Sequence, residues 1–213
     1  MPNVSRINGF RPVKYENGSA YNGKANVYAV SASDGTALFI GDVVKLAADG
    51  NAEGIQHVTA LAAGTAGTGQ AGIGVVVGVI NTKLDPITGK MTAGSIALDT
   101  PQYRPASTAQ YVLVADDPNL VFEVEATNAG NAYNFAVADI GLNANIFAGA
   151  GSTTTGTSGH SLDLNDKGTT ATLPFKIRGV SRKIDNDPTG NFTKVLVSFN
   201  NHQFKGGTGT AGL

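Results

Sequence analysis

The strongest constraint on this chain is a rhythm of short β-branched and aromatic runs, each stopped by Gly, Asn or Asp within a few residues. No 3.6-residue apolar stripe of the length a core helix needs accompanies them. Val27, Tyr28 and Val30 open the series, and Val43-Val44-Lys45-Leu46 follows beyond Gly41-Asp42. The most hydrophobic run is Ile73-Gly74-Val75-Val76-Val77-Gly78-Val79-Ile80, whose unbroken apolar character predicts a strand buried on both faces. Closely spaced strands without intervening helices give an all-β protein, built as an antiparallel β-barrel, sandwich or jelly roll.

Two hairpins are expected. One joins Tyr111–Val114 to Leu120–Glu125 through Asp116-Asp117-Pro118-Asn119, with Phe122 and Val124 facing away from Glu123 and Glu125. The other joins Leu173–Val180 to Val195–Phe199 through Asp187-Pro188-Thr189-Gly190. Residues 131–140 fit either a strand, through Tyr133, Phe135 and Val137, or a short helix, through the interleaved alanines. No tandem repeat stands out. Residues 1–25 are polar and turn-rich and read as an extended N-terminal arm; residues 26–204 form the β body, as one unit or two subdomains. Gly/Thr/Ser/Ala runs over 62–72 and 151–159 read as long flexible loops, and 205–213 as a flexible C-terminal tail.

Composition narrows the function. The 213 residues include 28 glycines, no cysteine and no tryptophan, and only 15% are charged, against about 25% in an average domain. A surface so poor in charge suits lasting contact with neighbouring proteins. Fifteen basic against sixteen acidic side chains leave a net charge of −1, without the basic stripe that nucleic-acid binding requires. The densest cationic stretch, Arg178 to Lys183, reads as a solvated face. The absence of cysteine excludes disulfides and thiolate metal sites. No run has the length of a membrane span, and the first residues lack the apolar core of a signal peptide.

Candidate chemistry is sparse. Gly67-Thr68-Gly69-Gln70-Ala71-Gly72 spells a dinucleotide fingerprint, but a strand follows it where a helix N-terminus is needed. The turns Asp163–Asp166 and Asp185–Asp187 are rich in oxygen yet lack the Gly and Glu of a calcium loop. His57, His160 and His202 stand apart, with no zinc spacing, and Ser158-Gly159-His160 lies in a Gly/Thr loop without support for a nucleophile. Glu123 and Glu125 read as a solvated strand face rather than an acid–base pair. No catalytic residue, cofactor or metal is expected. Phe10 and Tyr15 are the candidate anchors by which the arm would grip a neighbour.

Several phrases carry a resemblance: Asn8-Gly9-Phe10-Arg11-Pro12-Val13, Ala32-Ser33-Asp34-Gly35-Thr36, Tyr103-Arg104-Pro105-Ala106-Ser107-Thr108, Asp116-Asp117-Pro118 and Asn200-Asn201-His202-Gln203. Together they resemble small virion structural proteins of tailed bacteriophages, whose genes typically neighbour that of the major capsid protein. The resemblance implies a capsid decoration (cement) protein on the outer surface of the head, made in the host cytoplasm and commonly a homotrimer. Its implied partner is the major capsid protein, with no direct nucleic-acid or membrane contact. Another virion subunit (head–tail joining, tail-tube or fibre-base) and a β-sandwich carbohydrate-binding or adhesion module are the alternatives.

Overall fold

The structure is a computed structural model, which describes residues 3–64, 69–80, 102–205, 209 and 212. Eleven strands make up the regular structure of the described residues: β1 Arg11–Tyr15, β2 Asn26–Val30, β3 Val43–Gly50, β4 Gln56–Ala60, β5 Gly74–Ile80, β6 Gln110–Ala115, β7 Leu120–Thr127, β8 Asn143–Gly149, β9 Gly159–Gly168, β10 Phe175–Val180 and β11 Lys194–Phe199. The chain is all-β. Residues 131–140 are neither of the expected elements but irregular, with one 3₁₀ turn at Val137–Asp139.

The strands fall into two groups. In the first, β2-β4-β3-β5-β6 closes into a barrel. In the second, the order is β1-β7-β11-β10-β8-β9, and a further pairing between β7 and β9 joins β7, β11, β10, β8 and β9 into a ring with β1 attached outside it. Both rings are antiparallel except for one short parallel pairing in each, β2–β4 and β7–β9. The expected hairpin between β6 and β7 does not form. Asp116–Asn119 instead hands the chain from the first ring to the second, whereas β10 and β11 do pair as expected.

The two rings repeat one topology, although no repeat is visible in the sequence. Each of the five pairings in the first ring has a counterpart of the same direction in the second, with β2 to β6 answering to β7 to β11 in order. The registers agree as well. Val43↔Val75 and Val44↔Gly74 match Asn143↔Lys176 and Ala144↔Phe175. A register shift before Gly78 matches one before Gly179, and Val112-Leu113-Val114 lies where Val195-Leu196-Val197 lies. Gly41 and Gly141 enter β3 and β8 at φ +101° and +93°, a left-handed conformation that glycine adopts at little cost. Their N–H groups donate to equivalent carbonyls, those of Val76 and Ile177, at 2.8 and 2.9 Å.

Alternation explains the core. Val44, Val76, Val112 and Val114 point into the first barrel with Tyr28, Val30 and Val58. Their neighbours Val43, Val75 and Ala115 face the other way and join Phe122, Phe175 and Phe199 in a second core shared with the other ring. β5 is therefore fully buried over Gly74–Val76, as its apolar run predicts, and half-buried beyond. Each such side chain removed from water contributes about 1.5–3 kcal/mol.

Two expectations about loose segments are corrected. The N-terminal arm is not an appendage: β1 is a strand of the second sheet, paired from Arg11↔Glu123 to Tyr15↔Leu120. Residues 151–159 form a bonded turn, with Gly156 N–H donating to Ser152 O at 2.8 Å and Ile40 N–H to Gly156 O at 3.0 Å. Of the tail, Gly212 N–H donates to Thr169 O at 3.0 Å. Residues 206–208, 210, 211 and 213 lie outside the described residues, as do Gly67 and Thr68 of the glycine motif.

Candidate interaction surface

The segment before β1 is held against its own chain. Asn3 Nδ2 donates to Asp187 O at 3.0 Å while Asp187 N–H returns a bond to Asn3 Oδ1 at 2.6 Å. Ser5 Oγ and Arg6 N–H both donate to the Glu125 carboxylate, at 2.9 and 2.7 Å. Phe10, expected to anchor in a neighbour, is 1% exposed and stacks on Phe175 with ring centroids 4.6 Å apart. The chain can run this deep because Gly9 has no side chain: a Cβ there would meet Gly41 O at 2.5 Å. Tyr15 is half-buried, and its hydroxyl donates to Asn22 Oδ1 at 3.2 Å. Phe10 is therefore not free for a partner, whereas Tyr15 packs only in part against the shared core and lines a surface groove.

Glu123 and Glu125 are also buried, which corrects the solvated-face expectation. Burial works against ionisation at Glu123, but Lys183 Nζ at 2.7 Å and the Ser181 hydroxyl at 2.5 Å outweigh it and hold its pKa below the usual range. At Glu125 burial prevails over the Arg6 and Ser5 bonds, and the pKa is raised. The two carboxylates diverge in the manner of an acid–base pair. Yet each is engaged by donors of its own chain, and the cleft beside them measures only about 60 Å³.

Ser158 and His160 meet Asp42 across the two rings. Val43 N–H donates to His160 Nδ1 at 3.2 Å, which leaves the proton of the neutral ring on Nε2, 3.5 Å from Asp42 Oδ1. Ser158 Oγ accepts from His160 N–H at 2.9 Å, and Asp42 Oδ2 accepts from Phe39 N–H at 2.8 Å. All three side chains are buried, so the group fastens β3 to β9 and presents no nucleophile. Burial lowers the His160 pKa against the pull of Asp42, and burial raises that of Asp42 against His160, Ser158 and Phe39. Burial lowers His202 as well. A histidine kept neutral in the fold is protonated first in the unfolded chain, so its contribution is lost as pH falls through about 6.5. Asp42 and Glu125, whose pKa values burial raises, act in the opposite sense, so their contributions oppose those of the histidines as pH falls. Between pH 7.5 and 5.5 the midpoint Tm of His160→Gln should therefore fall less, or rise more, than that of the wild type, and at pH 7.5 it should lie lower; a calorimetric pH series checks both.

Of the six large apolar side chains exposed among the described residues, three line neighbouring grooves. Val4, Ile140 and Ile184 (the last fully exposed) line two adjoining grooves that share Asn186 and Pro188, and Val137 lies one 3₁₀ turn from Ile140. The larger groove, of about 920 Å³, has Val180, Leu196 and Pro188 among its walls. Its charged lining is Lys14, Arg178, Arg182 and Lys183, with no carboxylate. Arg178 pairs with Glu16 and Lys183 with Glu123. The cationic stretch read as a solvated face is thus one wall of a partly apolar surface. Lone Ile184 between Lys183 and Asp185 was its sequence signal: a bare isoleucine in a polar turn.

Among the described residues, no three His, Asp or Glu side chains gather as a metal site, and Asp163 and Asp187 instead cap their own turns. Comparison of the chain with family models, with curated proteins and with solved structures returns no match.

Proposed function

We infer that the chain is a non-enzymatic structural subunit of a tailed-phage virion. It is a decoration protein that binds the major capsid protein on the outer surface of the head, as a homotrimer, and stabilises the shell. The observation that carries this reading is the grouping of Val4, Ile140 and Ile184 along two adjoining grooves, the larger lined by cations and the smaller by charges of both signs, while Glu123, Glu125 and His160 are held by groups of their own chain. An exposed apolar patch with a polar rim suits a protein neighbour. The phage-like phrases and the low charge support the same reading. A trimer engages three shell subunits at once, so each contact can be weak, since binding one raises the effective concentration of the others.

The test uses heads assembled from the major capsid protein encoded beside the gene of this chain. The purified protein should cosediment with them in fixed ratio and raise the temperature at which they break. Ile184→Asp should weaken that binding at least tenfold while leaving Tm unchanged, because a fully exposed side chain adds little to the fold. Heads that sediment without the wild-type protein would overturn the reading.

A further inference from the structure

Three Asn-Gly steps occur in the chain, Asn8-Gly9, Asn17-Gly18 and Asn22-Gly23. In sequence they are equivalent turn signals. Each is also reactive, because the N–H of the following residue can attack the side-chain amide, and glycine has no side chain to shield it. The fold sets the three apart. At Asn17 the nucleophile is held: Gly18 N–H donates to Tyr15 O at 2.9 Å, inside a turn that Tyr15 N–H also closes on Ser19 O at 2.8 Å. At Asn8 the step is clamped. Gly9 is buried, and a Cβ on it would meet Gly41 O at 2.5 Å and Ser158 Cβ at 2.6 Å, so the backbone has little room to cyclise. At Asn22 neither restraint applies. Asn22 and Gly23 are exposed, and a Cβ on Gly23 would meet nothing within 4 Å. Among the described residues the Gly23 N–H has no acceptor.

The electrophile at Asn22 is prepared as well. Its Oδ1 accepts from the Tyr15 hydroxyl and from Lys24 N–H, both at 3.2 Å. Donors already aimed at an oxygen that gains charge tighten and strengthen their bonds as the charge develops. Asn17 Oδ1 also has two donors, both from Ser19, at 3.0 and 2.6 Å. The free nucleophile is therefore what singles out Asn22 from Asn17.

We propose that Asn22 is a self-modification site, deamidated through a succinimide formed with Gly23, with the Tyr15 hydroxyl and Lys24 N–H as donors to the oxyanion. Hydroxide takes the Gly23 amide proton. The nitrogen's electron pair then bonds to Asn22 Cγ while the carbonyl pair moves onto Oδ1, beside its two donors. That pair returns as the Cγ–Nδ2 bond breaks, and Nδ2 leaves as ammonia with a proton from water. Water opens the five-membered ring at either carbonyl, leaving an aspartate or an isoaspartate at position 22. Each product exchanges a neutral amide for a carboxylate in the surface groove lined by Tyr15, Glu16, Lys24 and Asp117. The ageing molecule thus gains negative charge in the connection from β1 to β2, outside the core. This proposal stands independently of the virion reading.

The test holds the full chain at pH 8.5 and 37 °C and follows it by tryptic digestion and mass spectrometry. Electron-transfer fragmentation separates Asn17 from Asn22 within the peptide of residues 15–24, and aspartate from isoaspartate. Position 22 should convert at least tenfold faster than positions 8 and 17. In the chain unfolded by guanidinium the three rates should lie within a few-fold of one another, since the bonds and packing that separate them are gone. Tyr15→Phe keeps the ring but removes one oxyanion donor, and should slow conversion at position 22 at least threefold without changing positions 8 and 17. A margin below tenfold in the folded chain would overturn the proposal. So would a tenfold ranking that persists on unfolding, or a Tyr15→Phe variant that converts position 22 at the wild-type rate.

Discussion

Replacing Arg104 by alanine will lower the unfolding free energy by about 3–5 kcal/mol, the range for breaking a buried charged network or emptying a large core site. For a chain of this length that is a fall in Tm of about 6–20 °C. Arg104 is 0% exposed. Its Nε donates to Thr108 O at 2.7 Å, Nη1 to Thr36 O at 2.7 Å and Nη2 to Ser31 O at 2.6 Å. The guanidinium thus ties the loop that follows β2 to the one that precedes β6, and Leu38 and Arg104 exchange backbone bonds beside it. Alanine would leave three carbonyls without their donor and a cavity where the side chain lay. Lysine keeps the charge but not the rigid fork, so Arg104→Lys should recover less than half of the loss. Thermal unfolding of the three proteins at pH 7.5 checks the order; an alanine variant within 2 °C of wild type, on the scale of a surface substitution, would contradict this role.

Phe10→Ala will cost about 3–5 kcal/mol as well, because it empties the centre of the core shared by the two rings. Phe10 stacks on Phe175, Phe175 lies 4.7 Å from Phe199, and Phe199 meets Phe122 edge-on at 5.5 Å. Val43 and Val75 of the first barrel close the same core. Deleting residues 1–16 would in addition uncover Leu120–Glu123 and unpair β7 along its first half. Its expected fall in Tm exceeds that of the point substitution, and scanning calorimetry of both variants measures it. A deletion that left Tm intact would restore the view of this segment as a free arm.

That view was reasonable from residues 1–25 alone. Turn dipeptides such as Asn8-Gly9 and Asn17-Gly18 mark where a chain bends, not whether the bends lie on a surface or in a core. Whether Phe10 is buried depends on Phe175, far along the chain. The same limit made Glu123 and Glu125 look solvated, since the donors that cover them come from residues 5, 6, 181 and 183. The missed hairpin has a related cause: Asp116–Asn119 is good turn chemistry, but a turn does not say whether the following strand folds back or crosses to another sheet. The repeat escaped notice because it survives as pairings and registers. Of the residues, little more than Gly41 with Gly141, the Gly-Val steps at 78 and 179, and two Val-Leu-Val runs remain alike.

The strand content and strand identity of this protein were written locally, in β-branched runs of period two and in the glycines and Asx residues that stop them, because those preferences act over a few residues. The register shifts before Gly78 and Gly179 and the left-handed entries at Gly41 and Gly141 likewise sit on residues whose freedom is intrinsic. Only the tertiary structure decided what lies next to what. It brought residues 31–36 against Arg104, set Asp42 beside His160, and gathered Val4, Ile140 and Ile184 along adjoining grooves. Such neighbours are fixed by ring closure and shared burial among segments far apart in the chain, which the order of residues along one strand does not encode.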